Sequence, residues 1–466
     1  MNNKKIYKTI VVGSGLSSLF FIDSYLEKNN KIDIISFDNK KTNTSKLSNN
    51  HIFKILPPQM IGQNKKVNDY FFFNKIKVNL NCKFYGSLEF GGLSNYWGLQ
   101  IDKNIKQDIS YLNEKTQNKI ISSFKEIFKK CNLIGKIDKK YYNDIKKNEY
   151  IKESILKSKK NFILEEPILA YQKKTKTKIE LNRINEKKDK LTPVNLFKTI
   201  NKKKIIFHNY FVQKIENHKN GVLIRCSNGS KEKTFITKKL VLGCGTLVTT
   251  KLIMDYLNIK REVRINHHPR LFSLYISKKK WKGKMDFQPS QLHLKFKKKP
   301  FLFTADFRPG NKIIVDAIIK FKNILKPIKF LINMFREYFV FSNIFLEPRY
   351  GNLFIKKNDN FYEIFSKRKN INKIFKSTSK IVFNFLMNTN KILPIYYNYF
   401  PGFGADFHYF GTMPMKANGK LSVNEKCQLK LNKKIHIIDG SVLNFKKNKY
   451  PLGLIIANSR RIGKDI

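Results

Sequence analysis

The chain has 466 residues, 41% of them hydrophobic, which exceeds one average domain and provides for an ample core in two interleaved domains or one large one with insertions. Lys and Arg number 92 against 34 Asp and Glu, a formal net charge of +58 whose field draws polyanions to any fold. Only 11 of the 92 are Arg and no lysine run exceeds three, so a specific nucleic-acid reader, which favours the planar Arg fork, is not the expectation: the lysines accompany excess Asn, Ile, Phe and Tyr, as A/T-rich coding produces, and read as diffuse solvated charge, with peripheral contact to an anionic membrane face as the remaining role.

In chain order, IYKTIVVGSGLSSLFFIDSYLEKNNKIDIISFD, residues 6 to 38, is a strand, a glycine turn, a helix and a second strand. Leu16, Leu19, Phe20, Ile22 and Leu26 give the helix an apolar face. The turn Gly13-Ser14-Gly15-Leu16-Ser17-Ser18 is a G-x-G-x-x-S variant of the dinucleotide fingerprint. Gly13 allows the tight turn, and Gly15 lets backbone N–H groups approach a pyrophosphate at the helix N-terminus. Ser18 is small enough to stand in for the third glycine at the helix–strand contact. Asp38, 25 residues after Gly13, is placed to accept hydrogen bonds from a ribose diol. This segment alone leaves NAD(P) and FAD open.

FYGSLEFGGLSNYWGLQ, residues 84 to 100, holds Gly86, Gly91, Gly92 and Gly98 around Asn95 and Trp97. That density implies backbone pressed against a flat ligand or another backbone. Residues 102 to about 190 are charged and helix-prone, a peripheral insertion. KKIIFHNYFVQKIENHKNGVLIRCSNG reads as short alternating strands with a turn signal at Asn228-Gly229. KKLVLGCGTLVTTKLIM then makes a second strand, glycine turn (Gly243 to Gly245) and helix.

From Leu271 to about Ile364, LFSLYIS, QLHLKF, FLFTADF, KIIVDAIIKF, NIFLEP and GNLFIKK predict at least six strands in an antiparallel sheet region. One long apolar helix, LKPIKFLINMFREYFVF from Leu325, packs on it; Lys329, Arg336 and Glu337 interrupt that helix, which argues against a bilayer span. HHPR at 267 to 270 lacks further ligands at metal spacing, so no metal is expected and a structural corner is. The tail offers a His-centred loop, DFHYFGTMPM, a hairpin at Asn418-Gly419, a strand ending Asp439-Gly440-Ser441, and Pro451 opening a terminal helix. Cys82, Cys131, Cys226, Cys244 and Cys427 are odd in number without C-x-x-C spacing and read as reduced thiols. With an N-terminus that passes straight into a strand, they point to a cytoplasmic protein.

Taken together, VVGSGLSS with Asp38, GGLSNYWG, LVLGCGTLVTTKLIM and the segment from Asp406 onward resemble, in order, the glucose-methanol-choline family of FAD-dependent oxidoreductases. The resemblance spans about 40% of the residues and frames the whole chain. It implies an α/β fold with a Rossmann-like FAD-binding domain built from residues 1–105, 191–270 and 401–466. A helical insertion would occupy 106–190, and an α+β substrate domain on an antiparallel sheet 271–400. It further implies Gly13, Gly15 and Ser18 at the FAD diphosphate, Asp38 at the ribose, and Gly91, Gly92, Ser94 and Asn95 along the flavin and ribityl chain. Val212 would meet the adenine, Gly245 would belong to the second glycine turn, and Asp439 and Ser441 would sit at the ribityl phosphate.

His408 corresponds to the family's active-site histidine, suited by an ordinary pKa of about 6.5 to take an alcohol's proton as hydride leaves. Where the family has Asn or His before the last helix's proline, this chain has Lys449-Tyr450-Pro451. Tyr450 would donate a hydrogen bond to the substrate oxygen, or Asn448 would be the partner. Ser94-Asn95-Tyr96-Trp97 stands where some sugar oxidases of the family carry a flavin-linked histidine, which implies non-covalent FAD. The expected function is oxidation of a small alcohol or sugar-like hydroxyl, with an electron acceptor that has no signature here. The alternatives are a flavin-dependent reductase or isomerase of a nucleotide- or lipid-linked sugar, and a non-catalytic polyanion-binding protein.

Overall fold

The computed structural model describes residues 5–37, 65–80, 82–102, 105–130, 161–165, 168–170, 190–280, 292–297, 302–310, 326–367, 371–388, 392–445 and 450–466. Asp38, Asn448, Cys131 and the strand expected over 312–321 lie outside them.

Strand Ile6–Val12 is buried from Thr9 onward, as a strand covered on both faces must be. It pairs in parallel with Glu232–Leu242 on one side and Ile32–Ile35 on the other. Ile205–His208 extends the sheet beyond Ile32–Ile35, and Asn432–Ile437 extends it beyond Glu232–Leu242, both in parallel. The sheet therefore draws on three stretches far apart in sequence. The antiparallel strands Phe211–His218 and Gly221–Ser227 lead into Glu232–Leu242, and Gly229 takes a left-handed φ of 92° in the predicted turn.

Helix Leu16–Tyr25 departs from the amphipathic expectation: nine of its ten residues are buried. The reason is the C-terminal helix Leu452–Asp465, which packs on the side away from the sheet. The two come so close at Gly463 that a Cβ there would lie 2.1 Å from Ser24 Oγ and 2.4 Å from the Phe21 carbonyl oxygen. Buried Arg460 fastens this contact, donating to Asp23 at 2.9 Å, Glu27 at 2.6 Å and Glu126 at 3.2 Å. Glu126 belongs to helix Glu114–Lys130, so this part of the expected peripheral insertion is packed on the terminal helix.

A second, antiparallel sheet runs in the order Ile392–Tyr399, Arg270–Ser277, Phe339–Leu346, Phe303–Pro309, Leu292–Phe296, Phe162–Glu165. Its edge strand Phe162–Glu165 comes from the stretch read as helical. Leu353–Lys357, expected in this region's sheet, instead pairs with Val263–Ile265 and Tyr362–Ser366 in a four-stranded sheet that Ile76–Val78 joins in parallel.

The long helix expected from Leu325 is also corrected. Only Lys329–Met334 is α-helical; a single 3-10 turn, Arg336–Tyr338, follows, and Phe339 already enters a strand. The β-branched and aromatic run FVFSNIF wins those residues for the sheet. Among the described residues no helix is long and apolar enough to cross a membrane.

Candidate active site

The parallel strands Ile6–Val12, Glu232–Leu242 and Asn432–Ile437 end level with one another, Val12 opposite Leu242 and Leu242 opposite Ile437. Beyond their carboxyl ends lies a cavity of about 500 Å³, the place where open α/β sheets bind ligands. The first turns of helices Leu16–Tyr25, Thr246–Tyr256 and Leu452–Asp465 all border it, so backbone N–H groups and the positive ends of helix dipoles face the space.

Gly13 has φ 106°, and a Cβ there would lie 2.5 Å from the Gly243 carbonyl oxygen; only glycine fits between the two strand ends. The second glycine block folds onto this turn. The Gly91 N–H donates to Ser14 Oγ at 3.0 Å and the Leu16 N–H to Ser94 Oγ at 3.0 Å, while Ser94 Oγ donates to the Gly91 carbonyl at 2.6 Å. The block thus packs against the first glycine turn through the Ser14 and Ser94 side chains, and it also borders the cavity. Gly13, Gly15, Gly91, Gly92, Ser94, Val212, Gly245 and Asp439 line the cavity.

Three of the residues assigned to the cofactor lie behind its wall. Ser18 is fully buried and donates to the Gly243 carbonyl at 3.1 Å, which is the helix–strand contact its size suggested, and it does not line the cavity. Asn95 closes the 3-10 turn through the Phe90 carbonyl at 2.8 Å. Ser441, with no exposed surface, donates through both N–H and Oγ to Asp439 Oδ1. Burial pushes the Asp439 carboxyl above its ordinary pKa, against the hydrogen bonds from Ser441 and Thr249.

His408 lines the same cavity. The preceding Phe407 has a left-handed φ of 67°, which a non-glycine residue keeps only when its surroundings hold it. Its ring stacks on Tyr85 with centroids 4.3 Å apart. Asp406 sits beneath: His267 Nδ1 lies 2.7 Å from Oδ1, and the N–H groups of His268 and His408 donate to Oδ2 at 2.9 and 3.3 Å. Burial by itself would raise the Asp406 carboxyl, but His267 outweighs it and holds the pKa below the ordinary value.

The HHPR corner is thus built around the Asp406–His408 loop, and its histidines His267 and His268 have no exposed surface. Ligand atoms of His268, Asp406 and His408 lie within 4.8 Å of one another. With both Asp406 oxygens accepting hydrogen bonds, that group is a positioning network. His436, buried in its strand, does not border the cavity.

His408 is one-fifth exposed, and burial pushes its pKa down to about 4 against the pull of Asp406. That environment favours the neutral ring at pH 7. Burial likewise pushes His293 and His436 down to about 4. Between about pH 6.5, the unfolded value, and about pH 4 the unfolded chain takes up protons that the fold refuses, at up to about 1.4 kcal/mol per pH unit for each histidine. Stability is therefore present above pH 6.5 and declines as the pH falls. The urea midpoint should drop between pH 7 and pH 5, and an unchanged midpoint would contradict these environments.

The roof of the cavity is one face of the antiparallel sheet. Residues two apart along a strand share a face, and Arg270 and Phe272, Asp306 and Arg308, and Asn343 and Phe345 all line the space. Tyr450 borders it too, its ring 6.2 Å from that of His408 and its hydroxyl 3.2 Å from His293 Nε2. Sequence reading missed His293, Asp406 and the two arginines. Asp406 lay two residues from the histidine singled out. The others carry no local signal, because only sheet register brings them to this face.

This architecture, a parallel sheet closed by two glycine turns beneath an antiparallel roof, is shared at the level of fold with a solved oxidase structure. The solved structure of pyridoxine 4-oxidase from Mesorbium loti matches it with a TM-score of 0.64 over 98% of this chain and 99% of that one, at 10% sequence identity. No protein-family model matches the sequence, and no curated protein does.

Proposed function

We propose that this chain is an FAD-dependent oxidoreductase that oxidises an alcohol or sugar-like hydroxyl. The observation that carries this reading is one cavity lined both by a bare-glycine helix N-terminus and by His408, whose loop Asp406 holds. The residues fit the cofactor. Gly13 and Gly15 expose backbone where a diphosphate binds, Gly91 and Gly92 present another wall free of side chains, and Val212 borders the space near Ser36 and Phe37. When bound, FAD supplies the two-electron acceptor for a hydride.

The remaining work falls to side chains. The His408 Nδ1 is enclosed, without a hydrogen-bond partner among the described residues and 3.9 Å from Asp406 Oδ2, so Nε2 is the atom that takes the hydroxyl proton as the alcohol carbon becomes a carbonyl carbon. Asp406 orients the loop and stabilises the imidazolium that results. Tyr450, beside His408 and hydrogen-bonded to His293, sets the position of the substrate oxygen.

Anaerobic mixing of the purified protein with a panel of primary alcohols and polyols tests the reading. Bleaching of the visible flavin band by at least one of them is expected. A protein whose flavin is bleached by dithionite and by none of the alcohols would belong to the reductase or isomerase alternative.

A further inference from the structure

Arg270 is the buried charge that the reaction scheme leaves without a task. It opens strand Arg270–Ser277 opposite Phe345, is 8% exposed, and borders the cavity that holds His408. Among the described residues its guanidinium makes no hydrogen bond or ion pair, and its Nε is buried without a partner. Its guanidinium lies over Phe407, whose ring centroid is 5.9 Å from Cζ.

The neighbouring carboxylates are engaged elsewhere. Asp406 accepts from His267 and from the N–H groups of His268 and His408. Asp306 accepts from the Asn343 N–H at 2.8 Å, from Asn343 Nδ2 at 3.0 Å and from Arg308 at 3.2 Å. Burial lowers the Arg270 pKa, yet an arginine remains charged. The charges of Asp406 and Asp306 favour the guanidinium without accepting a hydrogen bond from it; a buried donor left without an acceptor is unfavourable, and a ligand oxygen in the cavity would supply one.

We propose that Arg270 is the anion anchor of the substrate pocket, so that the alcohol oxidised here carries a carboxylate held by the guanidinium while its hydroxyl reaches His408. This deepens, and rests on, the flavin-oxidoreductase reading. A carboxylate matches the planar fork in a bidentate pair. A phosphate dianion would bring a second negative charge close to Asp306 and Asp406. The body of the substrate is apolar or aromatic, because Phe272, Phe345, Tyr399 and Phe407 form the neighbouring walls.

Isothermal titration calorimetry of the full chain with benzoate and its neutral analogue benzamide tests the anchor. Wild type should bind benzoate at one site at least tenfold more tightly than benzamide. Arg270→Gln should weaken benzoate by about 100-fold, the effect of truncating one partner of a desolvated charge pair, and leave benzamide unchanged; Arg270→Lys should recover part of the loss. Equal binding of the two ligands by wild type would overturn the proposal, even if Arg270→Gln failed to fold. So would benzoate binding unaltered in a folded Arg270→Gln protein. Calorimetry needs no chromophore, so a colourless protein that still prefers benzoate would sink the flavin reading alone, and a yellow protein with no preference would sink the anchor alone.

Discussion

Replacing His408 with Ala should leave the flavin bound and slow its reduction by an alcohol by roughly 10²- to 10⁴-fold, the range for loss of a positioned general base. Retention of the cofactor follows from geometry: the glycine turns at Gly13 and Gly91 and the helix N-termini at Leu16 and Thr246 make no contact that depends on the imidazole. The size of the effect follows from burial. With a pKa pushed down to about 4, the ring is already deprotonated through neutral pH, so wild-type reduction should be flat from pH 8 to pH 6 and should decline only as the pH approaches 4. Stopped-flow reduction at fixed alcohol concentration measures both. A variant as fast as wild type would return His408 to a packing role.

The second large effect is on stability. Arg460→Ala should cost about 3 kcal/mol, read as a lower urea midpoint at unchanged slope. Arg460 is 4% exposed and is shared by Asp23, Glu27 and Glu126, which belong to the first helix and its C-terminal end and to helix Glu114–Lys130. Removing the guanidinium takes from Asp23, 12% exposed, the donor that lies 2.9 Å from its carboxylate. Glu27 and Glu126 are more than a third exposed or nearly so, which screens their part and places the cost at the low end for a broken buried pair. A change within 0.5 kcal/mol would show that the helices are held by apolar packing alone.

What could be read from the residues, and what could not, divides along the range of the interactions. The strand, glycine turn and helix at the N-terminus, the turn at Asn228-Gly229 and the second glycine turn at Gly243 to Gly245 are local: hydrophobic period and turn chemistry specify them within a few residues. The run from Leu325 was misread because apolar content alone does not separate a helix from a strand, and FVFSNIF has the β-branched and aromatic composition of the sheet it joins.

Leu353–Lys357 is legible as a strand but its sheet is not, since its partner Val263–Ile265 lies about 90 residues away and the sheet is completed by Ile76–Val78, which pairs with Tyr362–Ser366. The site divides in the same way. His408 stood out in an aromatic loop followed by Gly-Thr. Its supporting Asp406–His267 contact spans 139 residues, and the hydrogen bond between Tyr450 and His293 spans 157. Nothing in the composition of either segment announces the other. Nothing local in HHPR marks Arg270, whose meaning comes from facing the same side of the roof as Phe272 and Phe345.

The measurement that tests the central claim most directly is the visible absorbance spectrum of the purified protein, taken before and after denaturation and removal of the polypeptide. The account predicts a yellow protein with an oxidised-flavin band that passes entirely into the supernatant as free FAD, since Ser94, Asn95, Tyr96 and Trp97 offer no histidine for a covalent link. A colourless protein that takes up no FAD when it is supplied would contradict the account.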